Sequence, residues 1–117
     1  MIVYGIPNCN TVKKAMTWLK ESGYEPQFQD FKKRGVTEEK LNEWCDAFGW
    51  ERVLNKQGTT WRKLDVNLQQ AVVRQETAVA VLLNNTSAIK RPIVEVDGKP
   101  ILIGFNEAEY GVLIQKL

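Results

Sequence analysis

The first thirty residues constrain the fold more than any other part of the chain. Residues 1–4 are a short apolar, strand-like run, and Gly5-Ile6-Pro7-Asn8 then breaks it. A helix is expected from Cys9 or Asn10 onward, because Val12, Ala15, Met16 and Leu19 recur at the spacing that places one stripe on a core. Ser22-Gly23 ends it, glycine tolerating the left-handed conformation past a helix C-terminus. Residues 26–31 read as a second strand with Phe28 facing inward. Strand, helix and strand within so short a span demand a right-handed parallel crossover.

The middle of the chain reads as helical. Thr37 is a good N-cap, and Glu38 and Glu39 follow where the helix dipole favours negative charge. Leu41, Trp44, Cys45 and Phe48 give a second buried stripe, closed by Gly49. A further turn is expected over 50–55, a polar loop over 56–62 carrying Trp61, and one or two helical pieces over 68–85, the second over 77–84. Residues 84–87 form a break. Asp97-Gly98 between Ile93-Val94-Glu95-Val96 and Ile101-Leu102-Ile103 is the strongest hairpin signal in the chain, and Pro100 suits an edge strand. Asn106, with Glu109 three residues on, caps a last helix whose stripe is Tyr110, Leu113, Ile114 and Leu117.

Length and composition narrow the class. A chain of 117 residues, 44% apolar and 26% charged, fits one globular domain and excludes disorder. No apolar run approaches the ~20 residues that span a bilayer, and no basic leader precedes the first strand, so a cytoplasmic location without membrane contact is expected. The net charge of +2 is mild, and Lys13-Lys14 and Lys32-Lys33-Arg34 read as solvated faces; nucleic-acid binding is not expected. Histidine is absent, which removes Ser-His-Asp and Cys-His nucleophile pairs. The two cysteines cannot make a four-cysteine zinc site, and no metal is expected. Any chemistry must come from thiol, carboxylate, amine or guanidinium.

The order β-α-β, helical segment, β-β-α matches the thioredoxin plan: a mixed α/β sheet with a helical insertion between its halves. In that plan the loop after the first strand carries the reactive group at the start of the first helix, where Cys9 lies. The unpaired N–H groups there favour a thiolate, and Lys13 one turn on adds a cation. The bland alternative is a small apolar residue tucked beneath the strand. Val12 stands where a C-x-x-C motif would place a second cysteine, so a resolving thiol must come from elsewhere. Cys45, inside an apolar stripe, reads as core. Pro92 is either an ordinary strand start or a cis-proline facing the reactive loop, able to expose the preceding backbone to an extended thiol substrate. Arg91 is either a surface residue or a guanidinium for a substrate carboxylate or for the thiolate. Asn8, Asn10 and Thr11 could donate to an anion or simply cap the helix.

Four segments together resemble the ArsC/Spx family of thioredoxin-fold proteins, in its YffB-like branch. They are Gly5-Ile6-Pro7-Asn8-Cys9-Asn10-Thr11-Val12-Lys13-Lys14-Ala15, Asn55-Lys56-Gln57-Gly58-Thr59-Thr60-Trp61, Ile89-Lys90-Arg91-Pro92-Ile93-Val94, and Gly104-Phe105. The resemblance runs over essentially the whole chain as a single domain. It implies that Cys9 is the reactive cysteine, Arg91 the arginine beside its loop and Pro92 a cis-proline. Arsenate reductases of the family bring two further arginines to the oxyanion; Asn55 and Phe105 stand at those positions here, which argues against arsenate reduction unless Lys56 or Arg62 supplies the charge. The resemblance therefore implies a glutathione-dependent monothiol reductase acting on a disulfide or oxidised substrate. Glutathione is then the co-substrate, not a bound cofactor, and a glutaredoxin-type protein is a candidate reductant. Its two carboxylates would meet Lys13, Arg91 and the backbone N–H groups of residues 9–11. The alternative is a non-enzymatic, Spx-like module that binds another protein.

Overall fold

The computed structural model describes residues 1–116. The chain forms two compact units, one of Met1–Lys33 with Arg91–Leu117 and one of Arg34–Lys90.

The first unit holds the sheet. Strand β1 (Ile2–Gly5) leads into helix α1 (Asn10–Glu21), and β2 (Gln27–Asp30) returns parallel to β1. Strands β3 (Ile93–Val96) and β4 (Lys99–Ile103) form the hairpin, with Asp97 and Gly98 both at positive φ (52° and 78°) as its turn requires. The order is β2-β1-β3-β4, with β3 antiparallel to both neighbours. Pro100 lies on edge strand β4, where the register shifts opposite Glu95. The core joins Val3 and Val94 of the sheet, Leu102, the α1 stripe of Val12, Ala15 and Leu19, and Tyr110 and Ile114 of the last helix. That helix (Glu107–Ile114) starts where the Asn106 side chain accepts the Glu109 N–H at 2.9 Å. Its Tyr110 hydroxyl donates to the Gly104 carbonyl at 2.6 Å. Leu117, expected in the same stripe, lies outside the described residues.

Two expectations for this unit need correction. Phe28 shares the α1-facing side of the sheet with its partner Val3 but is not buried: it is 41% exposed, because β2 is an edge strand that α1 only partly covers. Phe31 does not end the strand but opens a one-turn helix, α2 (Phe31–Arg34). The Asp30 carboxylate fixes that turn by accepting the Lys32 and Lys33 N–H groups at 2.9 and 3.1 Å. Lys32, Lys33 and Arg34 are exposed.

The second unit is the expected helical insertion. Helix α3 (Glu38–Phe48) begins at Thr37, whose hydroxyl accepts the Lys40 N–H, and stops at Gly49 with φ 88°. Helices α4 (Trp50–Val53), α5 (Thr59–Arg62), α6 (Val66–Ala71) and α7 (Gln75–Asn84) follow, then a 3-10 turn at Thr86–Ala88. The polar loop expected over 56–62 thus contains a helical turn. Leu41, Trp44, Cys45, Ala78, Val79 and Leu82 are buried here, so the core reading of Cys45 holds. Burial, then the neighbouring Asp46, pushes its thiol up to about 11. Among the described residues no helix is long and apolar enough to cross a membrane.

Candidate functional site

Antiparallel pairing of β1 with β3 places the end of one strand beside the start of the other. Tyr4 is opposite Ile93, so the loop leaving β1 and the Arg91-Pro92 segment entering β3 lie at the same end of the two central strands. The loop turns through Asn8, whose φ of 61° is the left-handed conformation that asparagine tolerates better than most residues. Cys9 then occupies the N-cap of α1 in extended conformation, its carbonyl accepting the Lys13 N–H at 3.0 Å.

The N-cap assignment corrects the capping expected of Asn8, Asn10 or Thr11: the helix begins one residue too early for Asn10 and Thr11, which are its first two residues. Asn10 is exposed and Thr11 half-buried. The Cys9 side chain closes no capping hydrogen bond itself. Its sulfur instead lies in the field of the amides that the helix leaves without intrahelical partners.

Cys9 is half-buried and its pKa lies below the ordinary cysteine value. Burial opposes the charged form most strongly. It is outweighed by the combined pull of the Val12 N–H, the hydrogen bond and charge of the Arg91 guanidinium, and the Thr11 N–H. Lys13, one turn on, is exposed and lines the groove beside the thiol; the cation that lowers the Cys9 pKa is the half-buried Arg91. The Arg91–Pro92 peptide is cis, and the Pro92 carbonyl accepts the Gly104 N–H at 2.8 Å.

Three residues contribute here in ways the sequence pattern did not single out. Gly5 ends β1 where a Cβ would lie 2.8 Å from Val12 Cγ2, so glycine lets the first turn of α1, and with it the Val12 amide, approach the strand. Phe28 and Lys20 join Cys9, Val12, Lys13 and Met16 in lining a groove of about 340 Å³ beside the thiol. No sequence signal set Phe28 apart from a core position; its exposure follows from the edge place of β2 in the assembled sheet.

No three Cys, Asp or Glu side chains converge to hold a metal among the described residues. Asn55 and Phe105 carry no charge: Asn55 lies against Gly58 in the second unit, and Phe105 meets the Tyr110 ring edge-on at 4.9 Å in the first. Lys56 is engaged locally, its ammonium 5.6 and 5.7 Å from the ring centres of Trp50 and Trp61.

Comparison with known proteins agrees with this architecture. The ArsC family model matches residues 4–113. An uncharacterised protein of Haemophilus influenzae is 45% identical over 92% of this chain and 93% of its own. The solved structure of the YffB (PA3664) protein is similar at a TM-score of 0.87 and 41% identity, covering 96% of both chains. The global transcriptional regulator Spx of Streptococcus mutans is 26% identical over 88% of this chain and 74% of its own. A thioredoxin-like sheet, a cysteine at the first helix N-terminus and a family match over nearly its full length make this chain a member of the ArsC family.

Proposed function

We propose that the protein is a glutathione-dependent monothiol oxidoreductase with Cys9 as its nucleophile. The observation that carries this reading is the environment of one sulfur: a helix N-terminus and a guanidinium together overcome the burial that would otherwise suppress its ionisation. The Cys9 thiolate attacks one sulfur of a disulfide; a new Cys9 disulfide forms and the other sulfur leaves as thiolate. Glutathione, or a glutaredoxin-type protein, then attacks the Cys9 mixed disulfide and regenerates the thiolate. The external thiol supplies the electrons, since Cys45 is buried and its raised pKa keeps it a neutral thiol near pH 7.

Arg91 holds the thiolate, and with the Thr11 and Val12 amides it forms a cationic, donor-rich corner suited to a carboxylate. Asn8, Asn10, Lys13 and Pro92 border that corner as substrate contacts. Arsenate reduction fits less well, because one arginine is thin provision for a multiply charged tetrahedral oxyanion.

The test is turnover of a glutathione mixed disulfide by wild type and Cys9→Ser, with glutathione as reductant and arsenate as a parallel substrate. Wild type should turn over the disulfide and leave arsenate untouched, while Cys9→Ser falls to background. Equal rates for the two proteins would remove Cys9 from the chemistry.

The Spx relative favours a second reading, a protein-binding module, as do Val66 and Val73, which are 60% and 64% exposed in the second unit. Such a module keeps its partner in Cys9→Ser, and a reductase keeps no turnover.

A further inference from the structure

The groove beside Cys9 has a chemical character of its own. Val12, Met16 and the exposed Phe28 give it an apolar lining, while Lys13 and Lys20 bring cations to it; among the described residues no carboxylate lines it. It is also long. Cys9 and Lys20 stand about three helical turns apart, about 16 Å along the axis, and somewhat less once the Lys20 side chain leans toward the helix N-terminus. An extended chain advances about 3.3 Å per residue, so the groove accommodates roughly three to five residues.

We infer that this groove seats an extended peptide segment of a protein disulfide substrate, one in which a bulky apolar and an acidic side chain neighbour the cysteine under attack. The inference rests on the reductase reading of Cys9 and adds the substrate class. Phe28 meets the apolar side chain and Lys20, with Lys13, the carboxylate. A single small thiol reaches only the Cys9 end, whereas a peptide spans to Lys20. The chemistry stays thiol–disulfide exchange: the Cys9–peptide disulfide forms, the substrate disulfide breaks, and its other sulfur departs as thiolate.

Short peptides carrying one cysteine, activated as 2-pyridyl disulfides, test this directly. Cys9 displaces pyridine-2-thiolate, which is followed by absorbance, and mass spectrometry locates the adduct on Cys9. Three compositions are compared: apolar with acidic, apolar with basic, and glycine-serine. Each rate is divided by that of iodoacetamide to remove differences in thiol reactivity. The apolar–acidic peptide should react at least fivefold faster than the apolar–basic one. Lys20→Glu should abolish or invert that preference, and Phe28→Ser should shrink the advantage of the apolar peptides over glycine-serine. Equal rates for the three peptides, or preferences unmoved by both substitutions, overturn the inference while leaving a reactive Cys9 intact. A Cys9 no faster with iodoacetamide than in the unfolded chain overturns the reductase reading and this inference with it.

Discussion

The Arg91 guanidinium hydrogen-bonds the Cys9 sulfur, joining residues far apart in the chain because β3 runs antiparallel beside β1. The folded protein therefore binds the thiolate better than the unfolded chain does, which links stability to pH. A lowered folded pKa contributes stability that is fully present above the unfolded value of roughly 8.5 and is lost as pH falls through the folded value. Denaturant titrations across that window should show wild type gaining stability over Cys9→Ser as pH rises. Parallel curves would mean that the sulfur is equally ionised in both states.

Cys45 has the opposite sign. Burial raises its pKa to about 11, so its contribution is present below the unfolded value and is lost as pH climbs toward that figure. Tyr110, also pushed up by burial, adds to the same alkaline loss. Cys45→Ala should cost about 1–2 kcal/mol near pH 7 through the space it leaves, yet flatten the alkaline decline between roughly pH 8.5 and 11. Thermal unfolding scans at pH 7 and pH 10 read both effects.

Gly5 and Val12 set how closely the first turn of α1 approaches β1. Gly5→Ala should cost about 1–3 kcal/mol, because valine is stiff at χ1 and cannot easily yield to a Cβ at 2.8 Å. It should also raise the Cys9 pKa by displacing the Val12 amide. Adding Val12→Ala should recover part of the reactivity; a Gly5→Ala protein with wild-type stability would show the contact to be unimportant.

Asn106 begins the last helix by accepting the Glu109 N–H. Asn106→Ala should lower stability by about 1 kcal/mol, and Asn106→Asp or Asn106→Ser should retain most of it. Urea unfolding of the set separates the cap from a loss of side-chain bulk.

Much of this architecture was legible in the sequence because its signals are local. The α1 stripe, the Thr37 and Asn106 caps and the Asp97-Gly98 turn each depend on residues within a few positions. Cys9 was legible for the same reason, as a cysteine following a strand and a breaker loop. Phe28 lies on the expected face but stays exposed, because how little of an edge strand α1 covers depends on the assembled sheet and not on local alternation. The part of Arg91 in lowering the Cys9 pKa and the special need for glycine at position 5 depend on contacts made only in three dimensions.

The reductase reading stands on an activated thiolate at Cys9, which pH-dependent alkylation measures. The rate of iodoacetamide modification at Cys9, followed by mass spectrometry across pH in wild type and Arg91→Ala, reports the pKa of that one sulfur. The wild-type midpoint should lie below the free-cysteine value of roughly 8.5 and rise in Arg91→Ala, with a several-fold slower reaction at pH 7. A midpoint at or above the free value, unmoved by the loss of Arg91, would contradict the reductase reading.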